Sequence, residues 1–565
     1  MLILLAVLSI GAAACTPPGP PDEVGETDAA QSPADDGAQP TPQEDDSDDA
    51  AAPPTTAPTA TEPPPPVRDE YAIAILDPES LVPADNAHGP GGQVLAALYT
   101  PLITYDPVTT EPVNAVAESI TTEDSRTFTI TVADGWTFHN GQVITAQTFA
   151  DSFDAATDPE TPHSQALLYA DIEGTTEQGQ RQDDQLRGVQ VVDEMTFTVT
   201  LRAPFSTWPV RLGYPAFAPL PNECLQFPDD CVDAPIGNGP YQMEGTWQRG
   251  EQITVTRWED YPGEDAGIAQ TIRFDIQPDI GAALRAVRSD EVDIVAGVSG
   301  PQVDALRDST SEQVVETPIS SLLYLGLPQY DPRYGGEQNL PLRQALSLAI
   351  DREMLTTEVV PQWSPADSLI SPVVPGHTPG ACDLCVHDPE RARALWDEHG
   401  GLEEIELWFN SGAGHEQWAR AVADGWREVF GLPRGAVTLR SFGFTQYVEE
   451  FVAPRAVTGP FRFAWGMSYP SPEDYLAPLY GVEGEANHAG YRDQAFEDLL
   501  VEAARATTVE EGLALYRQAE QVVLEDMPSI PLFFYNAVAV HGTGVEDVVI
   551  DTFNLVRPQL VQPIG

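Results

Sequence analysis

Lysine is absent from this chain of 565 residues, whose 27 basic residues are all arginines against 88 aspartates and glutamates. Without lysine the chain has no residue for a Schiff base, for a phosphate loop or for a Ser-Lys dyad. The formal net charge of -61 argues against a nucleic-acid partner, because nucleic-acid binding requires a basic surface. Charge of this size suggests a salt-rich habitat, in which counterions screen the repulsion between carboxylates.

The signatures of common catalytic sites are also missing. The sequence contains no H-E-x-x-H, no G-x-S-x-G, no phosphate loop and no calcium loop. The segment 237–240 departs from the dinucleotide-binding pattern, because Pro240 follows its second glycine. Carboxylate pairs occur throughout the chain, so no single pair indicates an active site. We therefore expect no enzymatic activity, no cofactor and no metal.

Long apolar runs are scarce. Residues 2–14 are apolar or small apart from Ser9, but this run is too short to span a bilayer, which requires about 20 residues. It matches a secretory signal, and its small residues end directly before Cys15, as in a bacterial lipobox. We predict a signal peptide over 1–14 and lipidation of Cys15. The alternative is a plain secretory signal without lipidation.

Residues 15–69 have the composition of a linker. From Thr16 to Glu70 the sequence holds 14 prolines, 14 acidic residues and a single arginine, Arg68. Large apolar side chains are nearly absent, so this segment buries too little surface to offset the entropy lost on ordering. We predict a disordered tether that holds a folded body outside the cell, on the outer face of the cell membrane.

Cysteine is rare, with five in the chain and four after Cys15. Four cysteines allow three pairings. For an exported protein we favour two local disulfides, each of which closes a short loop: Cys224–Cys231 and Cys382–Cys385. The alternative for the second pair is a zinc site of two thiolates and two imidazoles, formed by His377, Cys382, Cys385 and His387.

From Tyr71 onward the sequence predicts strands. Three segments alternate apolar residues with β-branched polar ones at the period of half-buried strands: 127–132, 196–201 and 253–256. The apolar run at 530–535 predicts a buried strand that follows a proline.

Helices are mixed among these strands. Asp388 and Pro389 supply the N-cap and first-turn proline of a helix that Gly400 ends. Thr508 and Glu511 form the capping box of a second helix. The mixture indicates an α/β or α+β protein.

Six segments, in the same order along the chain, resemble those of the extracytoplasmic solute-binding proteins of ABC importers. The resemblance covers about 70 to 560 and is specific to family 5, which binds oligopeptides, dipeptides or nickel. The segments are LYTPL at 98–102 with YD at 105–106, GWTFHNG at 135–141 with TAQTF at 145–149, NGPY at 238–241, LRQAL at 342–346 with AIDR at 349–352, YRD at 491–493 and MPSIP at 527–531.

The resemblance implies an α/β fold of the periplasmic-binding-protein-like class II, with two lobes joined by a hinge and an extra small α+β domain. Lobe I is expected to comprise 70–110, 205–318 and 531–565, the extra domain 111–204, and lobe II 319–530. The ligand is expected in the cleft between the lobes, where closure about the hinge presents it to a membrane permease.

The stretch 462–469 resembles the loop of peptide binders in which a tryptophan, three residues before an aspartate, lines the cleft. In those proteins the aspartate pairs with the α-ammonium of the peptide. Here Trp465 is retained, whereas Ser468 stands at the position of the aspartate. The substitution argues against a free peptide N-terminus as the main anchor, unless Glu473 or Asp474 replaces the lost carboxylate.

The resemblance implies further ligand contacts from Arg462, Tyr469 and Tyr324. Arg462 matches a basic position that meets a ligand carboxylate in peptide binders. The structural alternatives are a surface Arg462 that pairs with one of the many acids, and a Trp465 that packs in the core.

Together these features predict a monomeric, lipid-anchored protein that delivers a peptide or similar mid-sized solute to an ABC permease and ATPase on separate chains. The main alternative is a ligand-sensing or partner-binding surface lipoprotein that uses the same clamp without transport. A cell-surface hydrolase and a nickel binder are further alternatives, against which the missing catalytic motifs and the nine scattered histidines count.

Overall fold

The computed structural model describes residues 68–564 apart from 87, 88, 108, 299, 300, 308, 310 and 413. The predicted signal peptide, Cys15 and the predicted linker up to residue 67 lie outside the described residues. Within the described part of the chain, no helix combines the length and the apolar character that a membrane crossing requires.

The described residues form nineteen strands and fourteen α-helices. The strands are β1 (Glu70–Ile75), β2 (Ile103–Tyr105), β3 (Pro112–Asn114), β4 (Ala117–Thr122), β5 (Thr127–Val132), β6 (Val189–Val191), β7 (Thr196–Thr200), β8 (Tyr241–Met243), β9 (Gln252–Arg257), β10 (Thr271–Ile276), β11 (Ile294–Ala296), β12 (Gln313–Gly326), β13 (Ser364–Pro365), β14 (Ile405–Asn410), β15 (Val437–Phe442), β16 (Phe461–Trp465), β17 (Ser529–His541), β18 (Val545–Glu546) and β19 (Gln562–Pro563). The helices are α1 (Pro90–Leu98), α2 (Ala146–Ala156), α3 (Asn222–Gln226), α4 (Pro228–Cys231), α5 (Ile280–Arg288), α6 (Pro301–Arg307), α7 (Leu340–Leu348), α8 (Arg352–Met354), α9 (Pro389–His399), α10 (His415–Phe430), α11 (Phe444–Gln446), α12 (Glu473–Tyr480), α13 (Gln494–Ala504) and α14 (Val509–Asp526).

One large mixed sheet runs through both lobes. Its strand order is β15-β14-β16-β12-β17-β11-β1-β10-β9-β8, with β13 paired to β17. The long antiparallel strands β12 and β17 lie in its middle and belong to both lobes. Their pairing is interrupted between Pro318 and Leu322, and its register shifts again between Leu323 and Tyr324. Before the break the residues of β12 are exposed or half-buried, and after it all are buried.

A separate four-stranded sheet, in the order β4-β5-β7-β6, forms the extra small domain. The predicted alternation holds here: Phe128 and Ile130 of β5 and Phe197 of β7 are buried, while the threonines between them are half-buried. Phe149 of α2 stacks on Phe197, with ring centroids 5.7 Å apart. The apolar core around this sheet also contains residues outside the predicted domain, among them Leu102, Phe217 and Tyr469, and the domain boundaries at 111 and 204 stay predictions.

The predicted helix starts are confirmed, but the capping box of α14 is incomplete, because the Glu511 carboxylate accepts the N–H of Thr507 and not that of Thr508. The Asp388 carboxylate accepts the N–H of Arg391 at the start of α9, and Gly400 ends that helix with φ 93°. Thr508 accepts the N–H of Glu511 at the start of α14. The fold is α/β with two lobes, as the family resemblance implies, and β17 extends beyond the predicted 530–535 because it pairs along the length of β12.

Candidate functional site

The residues predicted to contact a ligand lie in two groups on lobe II. Arg462 and Trp465 are both on β16. Because they are three residues apart in a strand, their side chains point to opposite faces of the sheet. Tyr324 is buried on β12 and pairs with Phe463, so it shares the face away from Arg462. Trp465, Ser468 and Tyr469 gather instead around the start of α12.

The first group surrounds the guanidinium of Arg462, which is only 7% exposed. Its Nη1 donates to Asn410 Oδ1 at 3.1 Å and its Nη2 to Tyr535 Oη at 3.2 Å. Its buried Nε has no acceptor, and no carboxylate of the described residues forms an ion pair with it. A buried cation without a counter-charge is unfavourable, so this arrangement is suited to receive an anion.

His415 adds an uncharged imidazole beside this guanidinium. The Trp418 indole N–H donates to His415 Nδ1 at 3.1 Å, so Nδ1 is the acceptor and Nε2 carries the proton of the neutral ring. Burial, and then the charge of Arg462, lower the pKa of His415 to about 2. The ring therefore stays neutral at physiological pH and does not repel Arg462.

The second group surrounds Asp474, in the first turn of α12. Its Oδ2 accepts the N–H of Ser468 at 2.6 Å, and its backbone oxygen accepts the indole N–H of Trp465 at 2.6 Å. The carboxylate is 5% exposed and forms no ion pair with a described residue. Burial, and then the charges of Glu473 and Glu485, raise the pKa of Asp474 well above its usual range.

Tyr469 and Glu473 contact Arg211, which lies in predicted lobe I and also contacts Asp171 of the predicted small domain. The guanidinium of Arg211 donates to Asp171 at 2.5 Å and to the Tyr469 hydroxyl at 2.6 Å, and lies 3.9 Å from Glu473. It also lies over the Tyr469 ring, 4.5 Å from the centroid. The Tyr469 hydroxyl donates to the Glu473 carboxylate. Tyr469 therefore packs against Arg211, and its role as a ligand residue stays a prediction.

Sequence analysis missed Asn410, His415 and Tyr535, which surround Arg462, and it missed Arg211. Asn410 ends β14 and His415 begins α10, so both belong to one strand-to-helix turn. Polar residues at such a turn are a usable signal, since sites form at the ends of strands. Their contact with β16, about fifty residues later, is set by strand order and has no signature in the sequence.

The cysteines form the two disulfides that the sequence favours. Cys224 pairs with Cys231 and Cys382 with Cys385. Neither histidine of the alternative zinc set is directed at a thiolate: Nδ1 of His377 lies 2.8 Å from the Ile370 oxygen and that of His387 lies 3.2 Å from Asp351. Among the described residues no group of three or more possible ligands is arranged to hold a metal ion.

Comparisons with known proteins show the family of this chain. Residues 111–487 match the family of bacterial extracellular solute-binding proteins, family 5 Middle. The probable deoxycholate-binding periplasmic protein YgiS of Escherichia coli (strain K12) is 25% identical over 476 residues, which is 81% of this chain and 86% of that protein. The dipeptide-binding protein DppE of Bacillus subtilis (strain 168) is 24% identical over 470 residues, 78% of this chain and 82% of that one.

Solved structures share the fold. The unliganded open form of MppA, a periplasmic murein tripeptide binding protein, superposes with a TM-score of 0.77 at 23% identity, over 88% of this chain and 98% of that chain. Haemophilus influenzae OppA in complex with the peptide RPPGFSPFR gives a TM-score of 0.64 at 21% identity, over 88% and 99%. The family match spans most of the described chain, and the chain therefore belongs to family 5 of the bacterial extracellular solute-binding proteins.

Proposed function

We propose that the protein is the extracytoplasmic binding component of an ABC importer and that it captures a peptide between its two lobes. Membership of family 5 supports this proposal, as do relatives whose names state that they bind dipeptides and oligopeptides. In this scheme, closure about the hinge presents the ligand to a permease and an ATPase that are separate chains. The protein releases its ligand unchanged.

The observation that carries the proposal is two buried ionisable groups of lobe II, one basic and one acidic, that form no ion pair with a described residue. Arg462 is a buried cation without a carboxylate, and Asp474 is a buried carboxylate without a cation. Each is unfavourable until a counter-charge reaches it. In this proposal a zwitterion that extends around the carboxyl end of β16 supplies both, with its carboxylate at Arg462 and its ammonium at Asp474, and short peptides are zwitterions.

Asp474 also gives a physical reason for the serine at position 468. Its carboxylate accepts the N–H of Ser468, so it stands beside the residue where the peptide binders that this loop resembles have an aspartate. A carboxyl group is retained at that place although the sequence position has changed, and it becomes charged when an ammonium group pairs with it. This supports an ammonium group as one end of the ligand.

The proposal is tested by thermal denaturation with a library of free tripeptides and with the same library acetylated at the N-terminus. A bound peptide at 100 times its dissociation constant stabilises the protein by about 2.7 kcal/mol. We expect the free library to raise the melting temperature and the acetylated one to do so much less. Native mass spectrometry of freshly purified protein then identifies a ligand that copurifies.

A charge-matched pair of variants assigns the ammonium site. Asp474→Asn is expected to lower the affinity for free peptides by tenfold or more, because a charge-assisted hydrogen bond contributes about 1.5–3 kcal/mol. Asp498→Asn, on an exposed position of α13, is the control and should leave the shift unchanged. If free peptides raise the melting temperature of both variants equally, the ligand is not held by its ammonium at Asp474.

The second candidate ligand is an apolar carboxylate, which the name of YgiS suggests for that relative. Such a ligand needs the anion-accepting group around Arg462 but has no ammonium for Asp474. Deoxycholate in the same melting experiment separates the two candidates. A shift with deoxycholate that survives Asp474→Asn, together with no shift from free peptides, would favour the carboxylate.

We further propose that Cys15 carries the lipid anchor and that residues 15–69 act as its tether. The composition of the segment and the small residues before Cys15 support this. Mass measurement of the mature N-terminus should find a diacylglyceryl adduct on Cys15. An unmodified N-terminus would instead indicate a plain secretory signal.

A further inference from the structure

Phe227 is the most exposed aromatic residue of the described chain, at 58%, and it stands on a rigid support. It lies between the short helices α3 and α4, inside the loop that the disulfide Cys224–Cys231 closes. Its own N–H donates to the Glu223 oxygen at 2.9 Å, and its oxygen accepts the N–H of Asp230 at 3.1 Å. The loop thus holds a phenyl ring in water instead of folding it inward.

A second exposed apolar residue belongs to the same surface. Val143 is 57% exposed and follows Gln142, whose side-chain oxygen accepts the N–H of Asn222 at 2.9 Å. Asn140 donates to the Glu223 carboxylate at 3.2 Å, a second bond between the two loops. We call the surface formed by 140–143 and 222–231 the stapled knob.

The stapled knob is negatively charged. Glu223, Asp229 and Asp230 are exposed, and none forms an ion pair with a described residue. The nearby Asp233 does have a partner, since Arg249 donates to it at 2.6 Å. An apolar tip with a rim of charge is the arrangement of a protein-binding surface, whose buried centre is apolar and whose rim is polar.

The negative charge of the stapled knob indicates which kind of partner can bind there. A second copy of this chain carries the same net charge of -61, and an anionic lipid surface is also negative, so both would be repelled. A cationic protein surface attracts the rim and offers a socket for the ring. Resting on the proposed function, we propose that the stapled knob docks on the permease, in an apolar socket surrounded by arginine or lysine on its extracytoplasmic face.

The test measures binding of the full-length protein to its importer complex in nanodiscs. We expect Phe227→Ser to weaken this binding about tenfold or more, as for an anchor residue of an interface. Ile268→Ser is the matched control, because Ile268 is 48% exposed and is flanked by the exposed acids Glu264 and Asp265, but lies on no disulfide loop. The control should bind as wild type does.

Two further measurements complete the test. Binding of the wild type to the importer should weaken with rising salt, because the rim charges steer association. The double variant Asp229→Asn, Asp230→Asn should show a smaller dependence of this affinity on salt. Phe227→Ser should keep the melting shift with the tripeptide library, which shows that the fold and ligand site are intact.

The outcomes separate this proposal from the proposed function. A normal peptide shift with equal importer affinity for Phe227→Ser and Ile268→Ser would overturn the docking proposal and leave peptide binding standing. A change in oligomeric state caused by Phe227→Ser would assign the knob to a second copy and also overturn it. The peptide proposal alone would be overturned if peptides do not raise the melting temperature of the wild type while importer affinity still depends on Phe227.

Discussion

Arg352 and Arg462 are both buried, and neither forms an ion pair with a carboxylate of the described residues, yet their surroundings differ. Arg352 donates to the backbone oxygens of Pro531 at 2.8 Å and Cys385 at 3.0 Å, and also to the Ser347 hydroxyl at 3.0 Å. Burial lowers its pKa to about 9. Arg462 instead leaves Nε without an acceptor. We infer that Arg352 stabilises lobe II, whereas Arg462 binds the ligand.

For Arg352 we expect a loss of stability. Arg352→Met removes donors from several buried oxygens, each of which then lacks a partner at a cost of about 1–3 kcal/mol. The free energy of unfolding should fall by about 3 kcal/mol or more in urea denaturation. A variant as stable as wild type would show that water replaces these bonds.

For Arg462 we expect a loss of ligand affinity without a loss of stability. Arg462→Met removes an unpaired buried charge, so the free energy of unfolding should be unchanged or higher. Peptide affinity should fall tenfold or more, by the loss of about 1.5–3 kcal/mol for a charged hydrogen bond. Urea denaturation and the tripeptide melting shift give the two readouts. Lower stability with unchanged affinity would place Arg462 among the structural arginines.

At this scale the sequence motif identified Arg462 and Trp465, because the spacing within one strand is local information. It did not identify Asn410 and His415, because only the order of β14, β16 and β12 brings those residues to Arg462. It also could not show that Asp474 turns its carboxylate to Ser468, since that contact depends on the path between β16 and α12.

Among the elements, α12 joins the ligand group to the contact with Arg211. Glu473 faces Arg211 and Tyr469, while the next residue, Asp474, faces Ser468 and Trp465. A ligand that neutralises Asp474 therefore changes the charge beside the Arg211 contact. This gives a physical route from ligand binding to the packing around Arg211.

Asp474 should release a proton when an ammonium binds. Its pKa is raised in the ligand-free protein, so its protonated form stabilises the fold at low pH, and this contribution is lost as pH rises through the folded-state pKa. The stability of Asp474→Asn relative to wild type should thus increase with pH. Near the folded-state pKa, calorimetric binding enthalpies should vary with the ionisation enthalpy of the buffer for wild type only. Buffer-independent enthalpies would contradict proton release.

The Arg211 contact predicts strong coupling between two residues. Arg211→Met leaves the half-buried Glu473 without its cation and should lower the free energy of unfolding by about 2 kcal/mol. Adding Glu473→Gln removes the stranded charge and should restore much of that loss. A double-mutant cycle in urea measures the coupling. Additive losses would mean that the two side chains act independently.

Elements with short-range signals were predicted well. Alternation located β5, β7 and β9, and capping residues located α9 and α14, because both depend on neighbours within a few residues. The full length of β17 was not predicted. Its second half pairs with the lobe I part of β12, a contact between segments more than two hundred residues apart, for which alternation gives no signal.

For the whole molecule, the lobes share a single sheet. The interrupted pairing of β12 with β17 leaves a weak point between two well-packed cores, which is where a hinge would bend. The family resemblance implied two lobes from motif order. The residues of the break were not identifiable in advance, because a proline in a strand does not by itself indicate which strand it faces.

The net charge of -61 predicts that this fold depends on salt. Repulsion between carboxylates is greater in the compact state than in the unfolded chain, and the Debye length falls from about 10 Å at 0.1 M to about 3 Å at 1 M salt. We expect the melting temperature to rise steeply over this range of potassium chloride and then to level off, since screening saturates. Sucrose at matched osmolality is the control, because it is excluded from protein surfaces without screening charge. A rise with both solutes would indicate exclusion, whereas indifference to salt would mean that the acids are spaced widely enough to need no counterions.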